Sequence, residues 1–195
     1  MHELLDVLQD SGVRYFTESD WRVGEHAGVV GRLAASGCMQ ILMGIESLVF
    51  RYPGMGQKEA ELARIMEAVC VIQQEGVAVN GCYIVGADGE TQASLDRLVE
   101  FILESPLADV QVTLQTPFPG TALQHQLQRK GRLLTHRGWP YYTLFDVTYQ
   151  PDFMSVEQLE QGFRDVLRGV FSAAASAKRE SLRRRIWHCN ARLRR

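Results

Sequence analysis

The sequence predicts an α/β fold in which parallel strands alternate with helices. Apolar residues make up 46% of the 195 residues, which is typical of a globular protein with a hydrophobic core. Short runs rich in β-branched and aromatic residues alternate with segments whose apolar residues recur at helical spacing. This alternation predicts parallel strands joined by right-handed crossovers.

The first half of the chain contains three predicted strands and three predicted helices. A helix over residues 1–12 precedes the first strand. The strands are predicted at residues 13–17, 40–45 and 77–85. The helices between them are predicted at residues 25–36 and 61–74. Gly37 directly follows the first of these helices and Gly76 lies two residues after the second, and glycine is the residue that most often ends a helix.

The second half continues the alternation and then becomes helical. A fourth strand is predicted at residues 109–114, and residues 141–149 form either a fifth strand or an extended segment. Helices are predicted after Thr91, over residues 121–130, from Ser155 to Phe171 and over residues 177–193. Thr91 is a good N-cap residue, and Ser155 with Gln158 matches the capping-box pattern.

Composition narrows the class of protein. The formal net charge is −2, so bulk charge does not indicate a nucleic-acid or membrane partner. No apolar run approaches the roughly 20 residues that a membrane span needs, and the N-terminus does not resemble a secretory signal. Residues 178–195 are strongly basic. We interpret them as a solvated helix docked by a few apolar residues, with a membrane-surface or nucleic-acid contact as the alternative.

The four cysteines do not form a recognisable site. Cys38, Cys70, Cys82 and Cys189 are widely scattered, and their spacing matches neither a zinc site nor a disulfide framework. We expect no metal site, three buried free thiols and one thiol near the C-terminus. This pattern favours a reducing, cytoplasmic location.

The candidate site lies at the ends of the predicted strands, because parallel α/β folds bind ligands there. Glu46 could accept two hydrogen bonds from a ribose diol, and Glu18 could accept one from an ammonium group. Gly44 and Gly86 would let the backbone approach a flat base closely. Lys58 could supply a cation for a ligand carboxylate. The alternative is that the two glutamates cap helices and the glycines permit tight turns.

An ordinary nucleotide-binding α/β enzyme is the weaker alternative. Such a protein needs a glycine-rich phosphate turn that opens a helix directly after a strand. The turn Gly86-Ala87-Asp88-Gly89-Glu90 instead places acids where a phosphate would bind.

The strand ends carry a resemblance to a known superfamily. The ordered set of Phe16-Thr17-Glu18, Gly44-Ile45-Glu46-Ser47, the run 86–91 and the run 116–121 resembles radical S-adenosylmethionine (SAM) proteins. Within that superfamily it is most similar to the branch with an N-terminal cobalamin-binding domain, which includes methyltransferases and oxidative cyclases. The likeness covers roughly residues 10–150.

The resemblance implies a role for each candidate residue in binding SAM. Glu18 would lie near the methionyl amino group, Glu46 would bind the ribose hydroxyls and Lys58 the SAM carboxylate. Ile84, Gly86 and the acidic Glu90 match the motif that packs the adenine. The strand after them would border the same pocket through Gln115 and Thr116. No catalytic residue is implied.

One feature of the superfamily is missing from this sequence. A Cys-x3-Cys-x2-Cys loop holds the [4Fe-4S] cluster that binds SAM, and no two cysteines here have that spacing. An intact member would hold this cluster, and in this branch cobalamin, through residues upstream of Met1.

The resemblance therefore predicts a partial (β/α) barrel over residues 1–150, followed by a helical extension over 151–195. We expect a fragment of a radical SAM enzyme that is inactive by itself. Its partner would be the missing N-terminal half of the barrel, and its substrate would be a small or lipid-like molecule. The alternative is a non-catalytic remnant or a partner-dependent subunit.

Overall fold

A computed structural model describes residues 2–49 and 58–193, with the side chains of residues 3–49 and 62–191. The strands are β1 (Tyr15–Glu18), β2 (Cys38–Glu46), β3 (Ala78–Val85) and β4 (Asp109–Leu114). The helices are α1 (His2–Ser11), α2 (Ala27–Ala35), α3 (Lys58–Gln74), α4 (Gln92–Glu104), α5 (Ala122–Arg129), α6 (Val156–Val170) and α7 (Ala173–Leu193). Two short 3₁₀ helices are Trp21–Glu25 and Trp139–Tyr141.

The four strands form one parallel sheet in the order β1-β2-β3-β4. The predicted α/β class and parallel, sequential strands are therefore confirmed. Of the two alternatives predicted for residues 141–149, the regular strand does not form in the described chain, where this segment is irregular and contributes one isolated antiparallel bridge between Leu133 and Tyr149. The segment starts at the last residue of the 3₁₀ helix Trp139–Tyr141, and Leu144 has a φ angle of +70°, which is incompatible with a regular strand.

One face of the sheet is buried under helices. The strands contribute alternate apolar side chains to the core, among them Ile41, Met43, Tyr83 and Val112. Helices α2, α3, α4 and α6 contribute apolar side chains to the same cluster. The opposite face is less covered: Gly44 and Gln111 are exposed, and Leu42 and Cys82 are half-buried. This period of two leaves the opposite sheet face partly open.

Helix caps follow the local sequence. The Thr91 side chain accepts a hydrogen bond from Ser94 N–H, and Ser155 and Gln158 form the predicted capping box. The predicted helix over residues 25–36 is confirmed as α2 (Ala27–Ala35), and the separate 3₁₀ helix before it is capped by the Asp20 side chain, which accepts from Arg22 N–H.

Helix α7 docks on the end of the sheet where the strands begin. The Trp187 indole N–H donates to the Met39 carbonyl at 3.0 Å, and the Asn190 amide donates to the Cys38 carbonyl at 3.2 Å. Arg183 donates to the Ala108 carbonyl at 3.0 Å, and Ile186 is buried. These contacts agree with the interpretation of a docked helix.

Two further expectations concern the chain as a whole. In the described ranges, no helix has both the length and the apolar character needed to cross a membrane. Cytoplasmic localisation and the domain boundary at residue 150 stay predictions.

Candidate functional site

An open depression of about 510 Å³ lies on the uncovered face of the sheet. Its lining comes from all four strands and the residue after β1: Glu18, Ser19, Leu42, Gly44, Glu46, Cys82 and Gln111. The register explains the grouping, since Glu18 pairs with Leu42, and Cys82 lies between Gly44 and Gln111. Neighbouring strands are about 4.8 Å apart, so these side chains lie close together.

A β-bulge at the end of β2 turns Glu46 toward the depression. Gly44 pairs with Cys82, and Glu46 pairs with the next residue, Tyr83, so Ile45 is the extra residue. Glu46 has a φ angle of +66°, which is unfavourable for a residue with a side chain. Bulges and unusual backbone angles of this kind are frequent beside active sites, where they re-aim a side chain.

Gly44 leaves the space that the Glu46 carboxylate occupies. A Cβ atom at position 44 would lie 2.5 Å from Glu46 Oε1. Any larger residue would therefore displace the carboxylate rather than the backbone. Glycine at position 44 therefore makes room for the Glu46 carboxylate. The sequence suggested another reason for this glycine, namely the close approach of the backbone to a base.

The electrostatics of the depression favour a cation. Burial raises the pKa of the Glu46 carboxyl above its usual value of 4.5. Burial also raises the pKa of the Cys82 thiol, and the carboxylates of Glu46 and Glu18 raise it further. Cys82 therefore stays protonated, and a ligand that brings positive charge would offset the two carboxylates.

The glutamates do not cap helices in the way the alternative requires. The 3₁₀ helix after β1 is capped by Asp20 and not by Glu18. Helix α3 begins at Lys58, twelve residues after Glu46. Neither glutamate lies directly before a described helix, and their role in binding a ligand stays a prediction.

Gly86 and Glu90 lie outside this depression and are engaged within the protein. Gly86 N–H donates to Glu90 Oε2 at 2.9 Å, and Ser94 donates to the other carboxylate oxygen at 3.1 Å. The Tyr149 hydroxyl donates to the Gly86 carbonyl, and Leu159 also lies against the space where a Cβ would be. The lack of a side chain at Gly86 thus makes room for the Tyr149 hydroxyl. The contact of Gly86 with adenine stays a prediction.

The remaining predicted residues are also outside the lining of the depression. Gln115 is buried, and its N–H donates to the Val85 carbonyl at 2.8 Å. Thr116 donates to the Leu114 carbonyl at 3.1 Å, and Ile84 is half-buried in β3. Lys58 is the first residue of α3, but its side chain lies outside the described residues.

The structure adds four residues that the sequence did not single out. Ser19, Leu42, Cys82 and Gln111 line the depression together with Glu18, Gly44 and Glu46. The period of two along a strand could have found two of them, because Leu42 shares a face with Gly44 and Cys82 shares one with Ile84. The prediction considered only the loops after the strands, and therefore missed side chains that lie inside the strands.

In the described part of the chain, the cysteines are not arranged to ligate an iron–sulfur cluster. Cys38 is buried, Cys82 is half-buried, and Cys70 and Cys189 are exposed, so the expectation of three buried thiols was wrong. Burial raises the pKa of Cys38 to about 11, whereas cluster ligands are thiolates. Among the described residues, no three His, Cys, Asp or Glu side chains gather to hold a metal ion.

Comparison with curated proteins relates this chain to methyltransferases. Bacteriochlorophyllide d C-12(1)-methyltransferase of Chlorobaculum tepidum is 25% identical over 180 residues, which is 91% of this chain and 38% of that protein. Bacteriochlorophyllide d C-8(2)-methyltransferase of the same organism is 23% identical over 155 residues, 77% of this chain and 34% of that protein. The chain thus spans little more than a third of the length of these relatives.

Comparisons with protein-family models and with solved structures give less information about this chain. No protein-family model matches the chain. Among solved structures, Methanocaldococcus infernus Elp3 with an N-terminal deletion superposes with a TM-score of 0.49 at 15% identity, over 60% of this chain and 28% of that one. A likeness of this size carries no functional argument. The observations together give a parallel α/β chain, similar in sequence to methyltransferases, with an acidic depression on its open sheet face.

Proposed function

We propose that this chain is the later part of a SAM-dependent methyltransferase of the radical SAM type, and that it binds SAM in the acidic depression. The observation that supports this most is the convergence of Glu18 and Glu46, from adjacent parallel strands, on one open depression. SAM carries a sulfonium, an ammonium and a ribose diol, and carboxylates are suitable acceptors and counter-charges for all three. The similarity to methyltransferases supports the same assignment.

Each side chain would have a distinct task in this proposal. Glu46, held by the bulge, would accept from the ribose hydroxyls, and Glu18 would accept from the methionyl ammonium. Gly44 would leave room for the Glu46 carboxylate. When bound, SAM would supply either the methyl group that is transferred or the radical that activates the substrate. A cluster and cobalamin would have to be held by residues outside the described part of this chain.

The alternative proposal is a non-catalytic remnant or a subunit that depends on a partner. It is supported by the lack of a Cys-x3-Cys-x2-Cys spacing in this sequence and by the exposed apolar residues in and before β1. Leu4, Val7, Val13 and Phe16 are each at least half exposed, and β1 is an edge strand of the described sheet. Such an edge is an open template for another strand, and the missing half of a barrel would supply one.

Titration calorimetry with SAM tests the binding proposal. Replacing Glu46 with Ala should weaken SAM binding roughly tenfold or more, because charge-assisted hydrogen bonds contribute about 1.5–3 kcal/mol and about 1.4 kcal/mol is one decade. S-adenosylhomocysteine, which lacks the sulfonium charge, should bind less tightly than SAM. The matched control is Glu180→Ala, because Glu180 is an exposed glutamate of α7 paired with Arg184. Equal SAM affinity for wild type and Glu46→Ala would contradict the proposal.

A further inference from the structure

A half-enclosed cavity of about 280 Å³ lies between the end of α4 and the first half of α7. Three charged side chains line it, from Glu104, Lys178 and Arg179. The rest of the wall is mostly apolar and is formed by Ile102, Leu103, Pro106, Leu107, Ala175 and Leu182. Small-molecule sites have volumes of roughly 300–1,000 Å³ and walls that are mostly apolar with a few polar groups. The cavity therefore has the character of a site for a small ligand.

Hydrogen bonds hold the wall of the cavity in place. The Gln73 side-chain amide donates to the Pro106 carbonyl at 2.8 Å, and its Oε1 accepts from Ala108 N–H at 3.0 Å. At the end of α4, Ser105 Oγ donates to the Ile102 carbonyl at 2.8 Å. These bonds fix the segment that joins α4 to β4. Because a preformed site loses less entropy on binding than one that must first be ordered, the cavity is suited to a weakly interacting small molecule.

Arg179 is the most unusual residue of the cavity. It is only 6% exposed, and its Nη2 donates to the Val170 carbonyl at 2.5 Å. Its guanidinium carbon lies 5.5 Å from the ring centre of Phe171. Within the described part of the chain, it forms no salt bridge and no second hydrogen bond. Since arginine stays charged in proteins and carries five N–H donors, Arg179 is a nearly buried cation without a paired anion.

The neighbouring charges do not neutralise Arg179. Burial lowers the pKa of its guanidinium, Asp109 opposes this effect and Arg183 adds to it. Asp109 is itself paired with Arg183 at 3.3 Å. Glu104 and Lys178 are both exposed and have opposite charges. One positive charge, that of Arg179, is therefore left in excess around the cavity, and an unpaired buried charge is unfavourable.

The other nitrogens of Arg179 are accessible to a ligand. Its Nε and Nη1 form no hydrogen bond, and neither is among the completely buried polar atoms that lack a partner. Both atoms therefore reach accessible space, and Arg179 lines the cavity. A carboxylate would accept charge-assisted hydrogen bonds from this guanidinium. The apolar wall would enclose a short alkyl chain attached to that carboxylate.

We propose that the cavity between α4 and α7 binds a carboxylate with a short alkyl chain, and that Arg179 binds its charged end. The inference goes beyond the proposed function, and neither depends on the other. The segment at the cavity leads into β4 at Asp109, so the cavity lies at the end of the sheet where the strands begin. Glu46 lies at the other end, as the last residue of β2.

Titration calorimetry with octanoate and 1-octanol at neutral pH tests the proposal on the full chain. Wild type should bind octanoate about tenfold more tightly than 1-octanol, because only the carboxylate pairs with the guanidinium of Arg179. Arg179→Met, which keeps a long apolar side chain, should remove this preference and leave the affinity for 1-octanol almost unchanged. Arg185→Met is the matched control, because Arg185 is an exposed arginine of the same helix, and it should bind both ligands as wild type does.

A second variant locates the bound ligand. Ala175 lines the cavity and is 7% exposed, so Ala175→Leu would fill part of the cavity with a residue that also favours a helix. Both octanoate and 1-octanol should then bind about tenfold more weakly, since about 1.4 kcal/mol is one decade. Octanoate binding that is indifferent to Ala175→Leu would place the ligand elsewhere and overturn the inference.

The remaining outcomes also decide the inference. Equal affinities of wild type for octanoate and 1-octanol, or no binding of octanoate, would overturn it, as would unchanged octanoate affinity in folded Arg179→Met protein. If Arg179→Met does not fold, the preference of wild type for octanoate and the effect of Ala175→Leu decide. SAM affinity should be the same with and without octanoate, so a chain that binds octanoate but not SAM would contradict the proposed function alone.

Discussion

At the scale of single residues, Glu46 combines two unfavourable features. Its backbone lies in the left-handed region, with a φ angle of +66°, which costs roughly 1–2 kcal/mol for a residue with a side chain. Its carboxyl is half-buried and has a raised pKa. Protonation of the Glu46 carboxyl stabilises the folded state. This contribution is fully present below the unfolded-state pKa of 4.5, and it is lost as pH rises through the higher pKa of the folded state. Both features are therefore unfavourable at neutral pH, as is common for binding residues.

Replacing Glu46 with Gly should make the protein more stable than replacing it with Ala. Both variants remove the carboxylate, but only Gly adopts a positive φ without a steric cost. We expect the free energy of unfolding of Glu46→Gly to exceed that of Glu46→Ala by about 1 kcal/mol. Urea unfolding at neutral pH measures the difference. Equal stabilities would mean that the backbone at this position is not strained.

The sequence predicted part of the candidate site at this scale. Glu18, Gly44 and Glu46 could be predicted because strand ends in parallel folds meet at one edge. The contact over Gly86 could not be predicted, because the Tyr149 hydroxyl that occupies it is 63 residues away. The sequence predicts a core thiol at Cys82, because nothing local shows that one face of β3 stays open.

At the scale of elements, caps and apolar spacing predicted the helices well. Gly37 and Gly76 end their helices with φ angles of +104° and +84°, and both predicted caps are present. The docking site of α7 was beyond prediction, because its partners are strand residues about 150 positions earlier. Its Asn190 is almost completely buried and bonds the Cys38 carbonyl, and its backbone lies against Gly76.

Replacing Asn190 with Ala should destabilise the fold without affecting the ligand site. The change leaves the Cys38 carbonyl without its side-chain donor in a buried place, which costs about 1–3 kcal/mol. Chemical denaturation should show this loss, whereas SAM affinity should not change, because α7 docks at the opposite end of the sheet. Arg185→Ala, on the exposed side of the same helix, is the control and should stay within about 0.5 kcal/mol of wild type. A reduced SAM affinity of folded Asn190→Ala protein would contradict this separation.

At the scale of the whole molecule, the described chain is built on one parallel sheet whose two faces are covered unequally. Its four-stranded sheet has one face in the core and one face open, and it spans 38% or less of the curated relatives described above. The sequence predicted the parallel, sequential order of the four strands, because strands and helices alternate along the chain.

The last prediction concerns the cluster that radical SAM chemistry requires. Gly44 pairs with Cys82, and Cys38 lies six residues before Gly44, so the two inner thiols are about 20 Å apart along the strands. Cys70 and Cys189 are exposed and do not belong to a Cys-x3-Cys-x2-Cys loop. We therefore expect that the purified chain, reconstituted anaerobically with iron and sulfide, forms no SAM-cleaving [4Fe-4S] centre and releases no 5′-deoxyadenosine with dithionite and SAM. Any iron that it takes up should bind the exposed thiols and be lost in the Cys70→Ser, Cys189→Ser double variant. Chromatographic detection of 5′-deoxyadenosine from the wild-type chain would show that a cluster site exists which neither the cysteine spacing nor the fold reveals.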